Sequence, residues 1–382
     1  MPTRGHMAGE GLEAAMARAG LAAPRALTVA VTGRCNLSCT HCLVEAGRPA
    51  CAPDVPAATL MRLVAEFAAL GGRELWLTGG EPLLHPRFED VLACCAAEPL
   101  ERVVLQTNGT LLGDRQMRAL RRRSPSGLTI QVSLDGASAA VHDAVRGAGA
   151  FGRVMDGLSR LHAAGLGPCV SIAFTELSHN LADLPALLEL VERLGLGGLA
   201  SGTLVADGRA AATGAASPSP ADYEALLSRY HEDARFRARY EAHGTIAALE
   251  WWRGRDGPGE DCCTLAAHPY VTAQGRLMPC ALCRVDDARA PGVHDRPLAE
   301  ALAARIPTWS RLLALRRRRR GSLPSCQRCP GLRHCGGGCM GRAHAASGSF
   351  LAVEDRCAIR KAVYQWHAGP ARAPSRPPLS TR

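Results

Sequence analysis

Between residues 25 and 205 the chain alternates between two hydrophobic periods. Short apolar or β-branched runs recur at 26–32, 74–78, 102–107, 128–134, 169–174 and 199–205, each ending near Gly, Asn or Asp. Runs of that length closed by turn residues predict β-strands. Between them apolar side chains return at helical spacing. Leu60, Leu63, Val64, Phe67 and Leu70 make one such stripe, and Leu181, Leu184, Leu187, Leu188 and Val191 another; each suits a helix with one buried face. Repeated strand–helix units imply right-handed crossovers and a parallel sheet. Six units predict an α/β fold built as a partial (β/α)6 barrel rather than a full eightfold ring.

Ligands of such sheets gather at the carboxyl ends of the strands. Four distinctive turns fall there. Cys35, Cys39 and Cys42 follow the first strand, Gly79-Gly80-Glu81-Pro82 the second, Thr107-Asn108-Gly109 the third and Asp135-Gly136 the fourth. Four such turns on one rim predict a site.

The rest of the chain divides by composition. Residues 1–24 precede the barrel, which spans 25–206. A bridge, 207–260, opens with a Gly, Ala, Ser and Pro-rich loop (207–220) and continues as a helical segment (220–242). From 261 to 367 cysteines are dense and long apolar runs scarce, predicting a small domain held by metal rather than by a large core. The tail 368–382, rich in Pro, Ala and Arg, predicts disorder.

No run of about 18 apolar residues occurs, so no transmembrane helix is expected. Residues 1–24 lack the basic-then-apolar layout of a secretory signal. Sixteen cysteines without such a signal read as metal ligands rather than disulfides, in a reducing cytoplasm. Aromatic residues are only 4% of the chain, so Ala, Leu, Val and Gly do most of the packing. The formal charge of +10 comes mostly from arginine, including Arg121 to Arg123 and Arg316 to Arg320. Such runs belong on a solvated face or at a helix C-terminus. They also suit an acidic peptide or an acidic electron donor. Nucleic acid is disfavoured, because no aromatic stacking platform accompanies them.

The stretch CNLSCTHC carries the chemistry. Thiolates at CxxxCxxC spacing can hold three irons of a [4Fe–4S] cluster and leave the fourth open. Soft thiolates equally suit zinc, with His41 completing a closed site. Cys51, Cys94, Cys95 and Cys169 match no ligand pattern and read as small apolar residues.

This triad followed by GGEP resembles the radical S-adenosylmethionine enzymes. The C-terminal cysteines resemble the SPASM extension of that superfamily: Cys263, Gly275, Cys280, then Cys326-x2-Cys329-x5-Cys335-x3-Cys339, then Cys357. The resemblance implies reductive cleavage of S-adenosylmethionine to a 5′-deoxyadenosyl radical on a cluster held by Cys35, Cys39 and Cys42. It implies that Gly79 and Gly80 allow close backbone approach and that Glu81 meets the methionine amine. Asn108, Ser133 and Asp135 would bind its ribose or methionyl part, and Arg146 its carboxylate. At the His41 position the backbone, rather than the ring, would meet the adenine. Two auxiliary [4Fe–4S] clusters are implied, making three. Cys326, Cys329, Cys335 and Cys357 would hold one. Cys280, Cys339 and one of Cys262 or Cys263 would hold the other, with Cys283 a candidate fourth ligand or the site left three-coordinate and open. Zinc-ribbon grammar is the rival reading of the same cysteines.

The stretches CNLSCTHCLVEAGRP and DAVRGAGAF look most like the maturases of pyrroloquinoline quinone and mycofactocin. They imply oxidative modification of a ribosomally made precursor peptide and a flavodoxin- or ferredoxin-type electron donor. A further expectation is a separate leader-binding protein, or recognition by the core enzyme, since residues 1–24 are too few for a fused leader-binding domain. Anaerobic sulfatase maturases carry an acidic residue directly after the cysteine matching Cys280. Ala281 stands there, which disfavours that activity unless Asp286 or Asp287 substitutes. A small-molecule substrate such as a tetrapyrrole is the alternative, for which an apolar, arginine-lined cavity is expected. A non-catalytic iron–sulfur or zinc module is the alternative from another class.

Overall fold

The computed structural model describes residues 4–47, 53–123, 127–255, 264–285 and 292–367. Helix α1 (Arg4–Arg18) leads into β1 (Ala26–Thr32). Helix α2 (Ala57–Ala69), β2 (Glu74–Gly79), α3 (Phe88–Ala97), β3 (Arg102–Thr107), α4 (Asp114–Arg123) and β4 (Leu128–Ser133) follow. After α5 (Ala139–Arg146) and α6 (Ala150–Ala163) come β5 (Val170–Glu176), α7 (Leu184–Arg193) and β6 (Gly198–Thr203). All six expected strands form, and each pairs in parallel with its sequence neighbour.

The sheet extends further than the apolar runs foretell. β7 (Gly244–Thr245) pairs with β6, β8 (Tyr270–Val271) pairs in parallel with β1, and β9 (Leu277–Met278) runs antiparallel to β8. The order β7-β6-β5-β4-β3-β2-β1-β8-β9 leaves the two ends unpaired with each other, so the barrel stays open. The three added strands are two residues long, too short to carry a periodic signal.

Alternation along the strands explains why the barrel has a usable interior. In β4 and β5 buried and half-buried residues strictly alternate. Ile130, Val132, Ile172 and Phe174 face the buried side, while Gln131, Ser133, Ala173 and Thr175 face a cavity. β1 is buried on both faces, as a central parallel strand should be.

The bridge differs from its expected form in two places. The 207–220 loop contains a short helix, α8 (Arg209–Thr213), and the single helical segment is two helices, α9 (Pro220–Glu232) and α10 (Ala234–His243). The break falls at Asp233, whose carboxylate accepts the Arg235 and Phe236 N–H groups, both at 3.0 Å, and so starts a new helix. Beyond α11 (Ala247–Gly254) and the β8–β9 hairpin lie α12 (Leu298–Ser322), α13 (Leu332–Cys335), α14 (Met340–Ser347) and α15 (Cys357–Gln365).

One buried cluster runs from Leu12 and Met16 in α1 through the barrel helices to Val363 in α15. α12 buries Leu298, Ala301, Leu302, Trp309 and Leu312 in it. Residues 298–322 thus give more apolar burial than their lack of contiguous runs predicts, because the apolar positions are spread at helical spacing. Glu66 of α2 accepts the Leu298 N–H at 2.8 Å and caps α12. The arginine run 316–320 ends α12, as a helix C-terminus favours. Arg319 departs from the expected solvated face: it is buried and donates to the carbonyls of Gly337 (2.8 Å) and Phe350. The tail 368–382, Cys51, Cys262, Cys263, Asp286 and Asp287 lie outside the described residues. Among the described residues no helix is long and apolar enough to cross a membrane.

Candidate active site

The loop after β1 folds back on itself through Gly33 N–H to Pro53 O (2.9 Å) and Gly47 N–H to Gly33 O (3.1 Å). Cys35, Cys39 and Cys42 on this loop line one cavity of about 390 Å³ with Thr78, Gly79 and Gly80. The Leu37 and Ala46 N–H groups each approach a thiol sulfur, of Cys35 and Cys42 respectively, at 3.4 Å. Hydrogen bonds to ligand sulfurs are one of the means by which a protein sets a cluster's potential.

The two glycines serve packing as much as access. A Cβ on Gly79 would stand 2.2 Å from the Thr32 carbonyl oxygen, and one on Gly80 2.0 Å from that of Arg34. Gly79 also holds φ at +141°, a conformation side chains resist. The Gly80 and Glu81 N–H groups then donate to those same carbonyls, both at 2.8 Å. β2 is therefore locked onto the cysteine loop at the point where the cavity begins.

The expected site residues divide in two. Asn108 and Ser133, at the ends of β3 and β4, line the cavity, as does Arg146. The Asn108 amide donates to Asn36 Oδ1 at 2.9 Å, and its oxygen accepts the Thr110 N–H at 2.9 Å. Glu81 and Asp135 are fully buried and absent from the lining. Glu81 accepts from Thr107 Oγ1 (2.7 Å), Asn108 N (2.7 Å) and Leu83 N (3.1 Å). Its side chain, expected at a methionine amine, is instead spent on tying β2 to β3. Burial still pushes its carboxyl upward despite these donors.

Asp135, expected on the ribose or methionyl part, grips Arg146 at 2.6 Å and accepts the Thr175 N–H at 2.8 Å. Burial opposes its charge, but Arg146 and His41 outweigh that and hold the carboxyl below its ordinary range. Arg146 in turn points Nη1 at the Cys39 sulfur, 3.9 Å away, and Nη2 at His41 Nε2, 3.4 Å away. His41 is among the residues that line the cavity. Burial first, then Arg146 and Arg209, push its pKa down to about 4 against the pull of Asp135.

These thiols fit a metal–sulfur centre. Burial pushes Cys35 up to about 11, with Cys39 and Cys42 adding to the rise, and Cys39 is raised by burial too. Thiols so disposed stay protonated unless a bound metal cation displaces their protons to solvent. Three thiols that line one cavity can each take a different iron of a cluster.

The C-terminal cysteines form two neighbourhoods. Burial, then Cys326 and Cys329, raise Cys357, and Cys335 also feels Cys326. Cys326 is thus within electrostatic reach of Cys329, Cys335 and Cys357. Elsewhere the Cys283 N–H meets Cys280 Sγ at 3.3 Å. The start of α14, just past Cys339, presses on the same turn, with Leu282 O only 2.5 Å from where a Gly341 Cβ would be. Cys95 is buried in the core and Cys94 and Cys169 are half-buried, away from both groups.

Sequence reasoning missed several residues. Arg209 straps the cysteine loop: its side chain donates to Cys39 O (2.9 Å) and Ala46 O (2.7 Å), and its N–H to Cys42 O (2.9 Å). It sits in a low-complexity stretch that gave no signal. Arg342 of α14, buried, pairs with Asp355 at 2.6 Å and donates to Leu204 O, fixing the C-terminal part to the exit of β6. Gln106 and Gln131, bonded to each other, line the cavity; polar residues on alternate strand positions were the available clue.

Comparison with known proteins agrees with this geometry. The model of the radical SAM superfamily matches residues 29–191. The AdoMet-dependent heme synthase of Methanosarcina barkeri is 30% identical over 363 residues, 88% of this chain and 97% of that protein. The mycofactocin maturase MftC of Mycobacterium ulcerans is 33% identical over 179 residues, 46% of each chain. Streptococcus suis SuiB bound to S-adenosylmethionine superposes with a TM-score of 0.71 at 15% identity, over 92% of this chain and 80% of SuiB. The native anSMEcpe with bound AdoMet gives 0.70 at 18% identity, over 90% of this chain and 96% of that one. At such identities the likeness shows the fold, a partial barrel with a cysteine-rich C-terminus. A whole-length relative at this identity and a triad gathered on one cavity lead to the same conclusion: the chain belongs to the radical SAM superfamily, whose members use a [4Fe–4S] cluster and S-adenosylmethionine.

Proposed function

We propose that this radical SAM oxidoreductase oxidatively modifies a ribosomally made peptide. Cys35, Cys39 and Cys42 would hold the cluster that, with S-adenosylmethionine, supplies a radical able to take hydrogen from an unactivated C–H bond. Arg146 orients the methionyl carboxylate from the cavity wall, and Asp135 positions Arg146. Asn108 and Ser133 offer polar contacts for the ribose. The backbone of Thr78, Gly79 and Gly80 takes over the amine contact first ascribed to the Glu81 side chain. Cys326, Cys329, Cys335 and Cys357 would hold one auxiliary cluster, and Cys280, Cys339 and one of Cys262 or Cys263, with Cys283 a candidate fourth ligand, would hold another; such clusters would supply an acceptor for the second electron. A separate leader-binding protein and a flavodoxin- or ferredoxin-type donor complete the scheme.

The observation that carries the peptide reading is the size of the space beside the first cavity. A second cavity of about 310 Å³ adjoins it, at the lower limit of pockets that enclose a whole small molecule. It suits one or two side chains of a longer chain whose backbone lies outside. The likeness of the barrel half to the mycofactocin maturase supports it. A tetrapyrrole substrate is the second reading, favoured by the heme synthase relative, which matches the C-terminal half as well. Incubating anaerobically reconstituted enzyme with short precursor peptides and, separately, with a tetrapyrrole distinguishes them by mass spectrometry. A peptide lighter by paired hydrogens or cross-linked is the expected product; an altered tetrapyrrole with unchanged peptides would overturn the peptide reading.

A further inference from the structure

The face around Cys326, Cys329 and Cys357 is strongly basic. Residues 316–367 hold eleven Lys and Arg against two carboxylates, Glu354 and Asp355. Both carboxylates are spent inside the fold. Glu354 pairs with Arg356 at 2.7 Å and Arg360 at 3.0 Å, and Asp355 with Arg342 at 2.6 Å. The exposed Arg328, Arg333 and Lys361 are left with no counter-ion among the described residues.

Local geometry gathers these cations at the thiols. Arg328 and Cys329 line one surface cavity of about 600 Å³ with Pro330 and Gln365, and no Asp or Glu is among its described lining residues. The Gln327 side chain donates to the carbonyls of Arg320 and Gly321, both at 3.2 Å. It thereby holds the exposed Arg320 at the end of α12 beside the Cys326 turn. Lys361 follows Cys357 by four residues on α15, so the two share a helix face. Arg333 of α13 stands two residues before Cys335. Cys329 is only half-buried within this ring. The cavity shares no lining residue with the two at the triad. Basic side chains around an accessible thiol suit a large anionic partner that approaches from outside rather than a ligand that must be enclosed.

We propose that this face is the docking surface for an acidic one-electron carrier protein, to which the cluster on Cys326, Cys329, Cys335 and Cys357 passes the electron taken from the substrate. The inference rests on the auxiliary-cluster reading above and gives that electron its exit. One electron leaves the reduced cluster and reduces the carrier's flavin or iron–sulfur centre; no bond is made or broken. Complementary charge speeds the encounter, and salt screens it. An acidic leader peptide would meet the same charge but has no need of a thiol at its centre.

The test uses the full-length Cys35→Ala/Cys39→Ala/Cys42→Ala variant, reconstituted with iron and sulfide and reduced with dithionite, so that electrons leave only from the C-terminal cysteines. On rapid mixing with an oxidised acidic flavodoxin, transfer should slow about tenfold between low salt and about 0.3 M salt. At low salt Arg328→Glu/Lys361→Glu should slow it by about the same factor, and the milder Arg328→Gln/Lys361→Gln by about threefold. Arg118→Glu, a reversal on the exposed side of α4, should leave it unchanged. Cytochrome c, a basic carrier, should react at least as fast with the double reversal as without it, which separates lost docking from a lost cluster. A flavodoxin rate indifferent to salt, an equal loss in Arg118→Glu, or equal slowing of both carriers by both double variants overturns the proposal. Polyglutamate binding that the double reversal abolishes, with flavodoxin transfer unaffected, assigns the face to an acidic peptide and overturns it too. A triad variant that binds no iron sinks the auxiliary-cluster reading and the dock with it, whereas charge-independent transfer from an iron-loaded one sinks the dock alone.

Discussion

The barrel rim and the cysteine-rich C-terminal part both gather thiols, but different physics holds them. On the rim, Glu81, Asn108 and Asp135 sit one or two residues past a strand and the triad lies on the loop after β1, on strands whose register is fixed by a continuous parallel ladder and a deep apolar core. The C-terminal thiols sit on short helices and glycine turns. Gly336, Gly337 and Gly338 all adopt positive φ, and α13 has four residues. Here charge adds to the apolar core that α14 and α15 share with the barrel. Glu354, buried, accepts from Arg356 (2.7 Å), Arg360 (3.0 Å) and the Cys339 N–H (2.9 Å). A site built on strands is rigid before its cofactor arrives, whereas one built on turns and ion pairs leans on its metal.

That contrast breaks most sharply at Glu354. Glu354→Gln leaves the buried Arg360 and the half-buried Arg356 short of their counter-charge, which costs about 3 kcal/mol. Hydrogen exchange should rise across 324–365 while β1 to β6 keep their protection; equal loosening of both regions would erase the distinction. Gly80→Ala is the matching lesion on the rim. Forcing a Cβ against the Arg34 carbonyl costs about 3 kcal/mol, and iron bound by the triad should fall with the C-terminal cysteines still loaded, as Mössbauer counting would show.

Arg209→Ala is milder. Losing two charged donors to the cysteine loop costs about 2 kcal/mol. Affinity for S-adenosylmethionine should weaken roughly tenfold with the melting temperature of the C-terminal part unchanged. The smallest effect belongs to Asp233, exposed and away from both regions. The Phe236 N–H, then that of Arg235, hold its carboxyl below the ordinary range. The cap therefore stabilises α10 above the unfolded carboxylate value of about 3.9 and fades as pH falls through the lower folded one. A small melting difference between wild type and Asp233→Ala at neutral pH should close on acidification.

The same contrast explains what was legible in the sequence. Strand runs and CxxxCxxC spacing are local patterns, so the six barrel strands and the triad could be read directly. For Glu81 and Asp135, position past a strand says where a carboxylate is, not whether it faces the cavity or a neighbouring strand, as these two do. Arg209, Arg342 and Glu354 act across 130 residues or more, or among short turns, and nothing local marks them. The two-residue strands β7 and β8 form on the edges of the longer β6 and β1, and β9 adds to β8 through the hairpin.

The central claim, that the rim triad carries the radical chemistry, is tested most directly by one comparison. Anaerobically reconstituted wild-type protein and the Cys35→Ala/Cys39→Ala/Cys42→Ala variant are given S-adenosylmethionine and reductant, and 5′-deoxyadenosine is measured. The account predicts product from the wild type and none from the variant, whose C-terminal cysteines still bind iron. Equal product from both, or none from a fully iron-loaded wild type supplied with substrate, would contradict it.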